Sequence, residues 1–67
     1  MKANKLREIR ARRGMTLSAL AIRADVEPSL LSLVERGKGL APKTAERLAG
    51  ALGLPVKTVF PNLEPRA

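Results

Sequence analysis

Residues 16–37 read TLSALAIRADVEPSLLSLVERG, and the fold turns on this stretch. Thr16 can cap a helix, because a hydroxyl there accepts a hydrogen bond from a free N–H of the first turn. Leu17, Leu20, Ala21 and Ala24 then recur at the spacing of one helix face. Asp25, Val26 and Glu27 make a turn, and Pro28 stands where a second helix can begin. Proline suits a first helical position, since the N–H it lacks has no partner there. Leu31, Val34 and Glu35 share one face of that second helix before Gly37 ends it. Helices over about 17–24 and 28–36, tightly joined, have the outline of a helix-turn-helix.

Outward from this unit the chain continues as helix. Asn4 is a good cap for a first helix running to Arg13, with Leu6 and Ile9 facing the core and Arg10 on the edge of that face. Gly14 offers the left-handed stop common after helices. Residues 37–41 form a flexible, basic loop. A fourth helix begins at Pro42 or just after it, buries Ala45, Leu48, Ala49 and Leu52, and closes at Gly53. Gly50 inside it costs about 1 kcal/mol against alanine, so close packing of a neighbouring helix is the expected reason for it. Val56 to Phe60 form a short last helix with Val56, Val59 and Phe60 as anchors, and Pro61 and Pro65 make residues 61–67 a tail. The 45% hydrophobic content is almost wholly Leu, Ala, Val and Ile, with no strand-length β-branched alternation. The expected fold is all-α: a compact bundle of about five short helices in one domain over residues 1–60.

Composition narrows function. The 67 residues include no cysteine and no histidine, which removes disulfides, thiolate metal sites, the commonest metal ligand and the commonest general base. Catalysis would need paired carboxylates or a lysine in a pocket, and the six acids are scattered. We expect no enzyme, no metal and no cofactor. No apolar run reaches signal-peptide or membrane length, so a soluble, cytoplasmic chain without a membrane partner is expected.

The net charge of +7 is unevenly placed. Residues 1–13 carry Lys2, Lys5, Arg7, Arg10, Arg12 and Arg13 against Glu8, and Lys38 and Lys43 follow the second helix of the motif. Between them, residues 14–37 hold Arg23 and Arg36 against Asp25, Glu27 and Glu35. Positive charge therefore brackets the motif rather than covering it. A protein that grips phosphates with its flanks and probes bases with its centre is built this way. Alternatively, Arg12 and Arg13 complement a helix C-terminus.

The ordered pieces LREIRARRGMT, LSALA, V-x-x-x-x-L-S-x-V-E-R-G-K and T-A-x-R-L-A-x-A-L-G-L-P-V resemble the phage-repressor-like helix-turn-helix family of the Xre/Cro/cI type over about Leu6 to Phe60. The resemblance implies a five-helix domain that binds double-stranded operator DNA as a homodimer and acts as a small transcriptional regulator, a repressor. The third helix would lie in the major groove, with Pro28, Ser29, Ser32 and Leu33 reading bases. The helical wheel agrees: with Leu31 and Val34 inward, Ser29 and Leu33 point nearly opposite and Ser32 lies to one side. Serine discriminates weakly between base edges, and Leu33 can touch a thymine methyl. Phosphate contacts are expected from the backbone around Thr16 and Leu17 and from Arg36, Lys38 and Lys43, with Arg12, Arg13 and Arg23 as further candidates. Matching positions in the family also imply a largely buried ion pair between Arg10 and Glu35.

The chain departs from the family in having no Gln, Asn or Lys on the reading helix, Leu17 after the capping Thr, and Glu27 at the third helix's cap position. Backbone-dominated binding with modest base discrimination follows. Dimerisation is expected through the outer end of the fourth helix with Val56 to Leu63, placing half-sites about 34–36 Å apart. No small-molecule effector is expected. The competing reading is a protein-interaction module or antitoxin-like partner binder, with Leu30, Leu33 and Ile22 outward. On the blander view Leu30 packs at the edge between the second and third helices, and only Leu33 is exposed.

Overall fold

The computed structural model describes residues 4–61 as five α-helices: α1 (Leu6–Arg12), α2 (Leu17–Ala24), α3 (Pro28–Glu35), α4 (Pro42–Leu52) and α5 (Val56–Val59). No strand occurs among the described residues. Residues 62–67 of the expected tail, with Leu63 of the expected dimer surface, lie outside them, as do residues 1–3.

One device stops the first four helices. The N–H of Met15 donates back to Arg10, Val26 to Ala21, Lys38 to Leu33 and Leu54 to Ala49, each closing over a residue with positive φ. Three of those residues are Gly14, Gly37 and Gly53. The fourth is Asp25 at φ 59°, ψ 49°, and it lies inside the turn of the motif. This is the Schellman arrangement, which satisfies the last helical carbonyls and turns the chain sharply, and Asp tolerates it better than most side chains. Val26, the next residue, packs half-buried against the core and pins the turn. Local chemistry thus sets where each helix ends, and apolar packing sets how the helices meet.

The core is made of Leu6, Leu20, Ala21, Ala24, Leu31, Val34, Ala45, Leu48, Ala49, Leu52, Val59 and Phe60. α2 lies at its centre, packed on α3 and α4, and α4 carries α5. Burying a Leu, Val or Phe side chain contributes about 1.5–3 kcal/mol, so the eight in this core are the main stabilising term in a domain this small.

Three expectations need correction. The first helix begins at Leu6, two residues after Asn4, and ends at Arg12, one short of the expected Arg13. The Asn4 side chain accepts from the Leu6 N–H at 3.0 Å and donates to the Val34 carbonyl at 2.9 Å, so it caps α1 while pinning it to the end of α3. Val59 and Phe60 are 0% and 2% exposed and belong to the core, so they are not available as dimer surface in the isolated chain. Nor does Gly50 allow a close helix approach: it is exposed, and a Cβ built there meets nothing within 4 Å. Gly50→Ala is therefore expected to stabilise the domain by about 0.5–1 kcal/mol, because alanine fits this helical backbone and restricts the unfolded chain. A urea midpoint raised at unchanged m-value would show it, and a lowered midpoint would reveal a role for bare backbone at Gly50.

Candidate nucleic-acid interface

At the start of α2, Thr16 Oγ1 accepts from the Ala19 N–H at 3.0 Å, and the Thr16 carbonyl accepts the first helical bond, from Leu20 at 3.2 Å. The N–H groups of Leu17 and Ser18 fall in the first turn, where no helical carbonyl can receive them, and they carry the positive end of the helix dipole. α3 follows after the turn, with Leu31 and Val34 fully buried. That orientation leaves Pro28 and Ser29 exposed, Ser32 half-buried and Leu33 40% exposed on the outer face.

Between the two helices and α1 lies an open cleft of about 310 Å³ lined by Arg7, Arg10, Leu17, Ser32, Glu35 and Arg36. The structure thus brings Leu17, Ser32 and Arg36 together. Lys38 and Lys43 are exposed but do not line this cleft. Arg7, which the sequence reading counted only as flanking charge, lines it. Arg7 is three residues before the inward-leaning Arg10, and that i,i+3 relation was the available signal. A larger neighbouring cleft of about 420 Å³ is bounded by Asn4, Arg7, Glu8, Ala11 and Glu35, and shares Arg7 and Glu35 with the first. Two carboxylates line it, which makes it a poor phosphate site.

Arg10 and Glu35 form the floor between the clefts. Arg10 Nε donates to Glu35 Oε2 at 2.6 Å and Nη2 to Oε1 at 3.1 Å, while Nη1 donates to the Met15 carbonyl at 2.8 Å. Their side chains are 16% and 6% exposed. The hydrogen bond to Glu35 raises the Arg10 pKa above its ordinary value, outweighing desolvation, and the Glu35 charge adds to the effect. One guanidinium thus ties the residue before the Thr16 cap to the last turn of α3. It sets the distance between the α2 N-terminus and the outer face of α3.

The other arginines divide. Arg13 Nη1 donates to the Leu52 carbonyl at 2.6 Å, so it complements the C-terminus of α4 rather than that of its own helix. Arg12 pairs with Glu8 at 3.2 Å on the surface, where such pairs contribute little. Arg23 is exposed. Leu30 does not share an outward face with Leu33: it is half-buried against the core, as the blander view had it. Among the described residues, the exposed large apolar ones are Ile22 at 80% and Leu33 at 40%.

This pairing of a capped helix start with a second helix held across it by a tight turn has a counterpart among known families. A family model described as a helix-turn-helix domain matches residues 3–59. The chain belongs to the helix-turn-helix domain family. No curated protein and no solved structure matches it. In this helix-turn-helix domain, α2, the Asp25–Glu27 turn and α3 are the motif, α1 and α4 buttress it, and α5 closes the core from below. Membership points to a DNA-binding regulator. No helix among the described residues is long and apolar enough to cross a membrane.

Proposed function

We propose that this helix-turn-helix domain is a cytoplasmic transcriptional regulator of the Xre/Cro/cI type, a repressor that binds operator DNA as a homodimer. The observation that carries this reading is the meeting of the α2 N-terminus with Arg7 and Arg36 beside the exposed outer face of α3. Phosphate oxygens would accept from the Leu17 backbone N–H at the Thr16 cap and from Arg36, with Lys38 and Lys43 following the same backbone. α3 would then enter the major groove, with Pro28, Ser29, Ser32 and Leu33 at the base edges. The dimer contact is assigned to the outer end of α4 and the segment beyond it, where Ala51, Leu54 and Val56 remain half-buried.

Selection from random duplexes by the full chain, at low and near-physiological salt, tests this. The expected product is an inverted repeat with half-site centres about 34–36 Å apart. Binding without enrichment would make it a nonspecific DNA protein. If no duplex is retained even at low salt, the partner is a protein, and Ile22 and Leu33 are the apolar residues exposed to meet it. The log–log salt dependence of affinity supplies a finer check. Arg36→Ala and Lys38→Ala should each flatten the slope by about 0.9, the share of one neutralised phosphate, while leaving the selected sequence unchanged. A slope equal to that of the parent chain removes that residue from the phosphate contacts.

A further inference from the structure

The reading end of α3 carries the wrong charge for a surface that only grips DNA. Glu27 is its N-cap residue, exposed, with Asp25 exposed two residues before it. The shorter Asp, Asn, Ser or Thr at this position turns back to accept an N–H of its own first turn, and Glu is not among the favoured caps. Glu27 makes no such bond. The Ser29 hydroxyl donates to its Oε1 over a long 3.5 Å, and no described residue donates to Oε2. The groups around it cannot replace it as a hydrogen-bonding reader: Pro28 has no donor, Ser29 is short, and Leu33 is apolar. Glu27 is thus the strongest hydrogen-bonding group at the end of the helix that would meet the bases.

We propose that Glu27 is a specificity-determining residue that reads the 4-amino group of a cytosine in the major groove. The inference rests on the DNA-binding reading above. An ionised carboxylate only accepts, so it needs a donor on the base edge. Guanine presents two acceptors there, and thymine presents an acceptor and a methyl group. Adenine offers its 6-amino group beside the N7 acceptor, which repels the second carboxylate oxygen. Cytosine offers an amino donor flanked by an acceptor on one side only, the O6 of its paired guanine, whereas the adenine amino group lies between its own N7 and the O4 of the paired thymine. At guanine or thymine the carboxylate would be desolvated without a donor, and at adenine it would meet an acceptor on either side of the donor, a penalty that works against wrong sequences. Specificity on a helix without Gln, Asn or Lys would then come from one acidic group that rejects, assisted by Leu33 against a thymine methyl.

The test is duplex selection by the full chain and by Glu27→Ala and Glu27→Gln. A second measurement titrates the selected duplex with that cytosine replaced by 2-pyrimidinone, which lacks the 4-amino group. Glu27 is exposed and makes no cap bond, so both variants should keep the parent's helix content by circular dichroism. The parent is expected to select a cytosine opposite the start of α3 and to lose about ten- to a hundredfold in affinity for the 2-pyrimidinone duplex. Glu27→Ala should lose the cytosine preference, show no penalty with 2-pyrimidinone, and bind unselected DNA more tightly than the parent. Glu27→Gln should move the preference toward adenine, the base a carboxamide pairs with in two bonds. If Glu27→Ala selects the parent's motif unchanged, or 2-pyrimidinone costs the parent nothing, Glu27 does not read cytosine even though the DNA-binding reading stands. If the parent selects no motif at all, the operator-binding reading fails, and this inference fails with it.

Discussion

In urea denaturation of the full chain, Arg10→Met is expected to lose about 3–5 kcal/mol of stability. A domain of this size holds about 3–10 kcal/mol in total, so the variant should lose a third or more of its stability and, at the lower end of that range, unfold at room temperature. The loss comes mainly from what is left behind. Glu35 is 6% exposed and would lose its guanidinium partner, and the Met15 carbonyl would lose the 2.8 Å donor that fixes the start of α2. Removing both charges should hurt less than removing one: Arg10→Met with Glu35→Leu is expected to regain much of the loss, because no buried charge is then stranded. That partial recovery separates an ion pair that orients helices from one that is simply required. Should Arg10→Met alone keep the parent's urea midpoint, the pair does not hold α1 to α3.

Phe60→Ala should cost about as much, roughly 3–5 kcal/mol, although it stands near the end of the described chain. Phe60 is 2% exposed and is the chain's only aromatic, so no neighbouring ring can take over its volume. α5 is four residues long, far below the length at which a helix persists unaided. What holds it is Val59 and Phe60 in the core and the Phe60 N–H donating to Val56 at 2.7 Å. The damage would spread, because the Lys5 N–H donates to the Val59 carbonyl at 2.9 Å and so joins the start of α1 to α5. A drop in thermal midpoint of at least about 12 °C is expected for that free energy in a domain of this length. A drop of only two or three degrees would mean that α5 is an appendage and that the folded unit ends before it.

The helices were legible because each carries its period and its stop. Leu17, Leu20, Ala21 and Ala24 mark the buried side of α2 at helical spacing, and Thr16 caps it as its chemistry requires. Pro28 and Pro42 each open a helix at the first position. What local pattern cannot show is a long-range partner. Asn4 caps α1 through its Oδ1, as its residue type suggests, and the same amide also reaches the Val34 carbonyl, thirty residues away. Arg13 reads as a complement to a helix C-terminus, and only the fold shows that the helix is α4, through the Leu52 carbonyl. Leu30 and Leu33 are three residues apart, but packing against the core covers Leu30 and leaves Leu33 40% exposed.

The candidate site shows the same division. Thr16, Leu17, Arg36 and the α3 residues could be named from the motif, because a helix N-terminus and a helix face are local properties of the chain. The closeness of Arg7 to Arg36 and Ser32 could not, since it depends on how α1 crosses α3, which follows from Leu6 in the core and the Arg10–Glu35 pair. By itself the sequence determined the helical class, the helix-stopping residues, the one-sided apolar pattern and the placement of charge around the motif. These follow from short-range sterics and from a periodicity that any segment displays alone. Only the tertiary structure decided which arginines hold the fold and which face the cleft, and that Glu27 is left without a cap bond at the reading end of α3. Those outcomes depend on side chains far apart in sequence competing for the same carbonyls and carboxylates, and packing alone determines which of them come within reach.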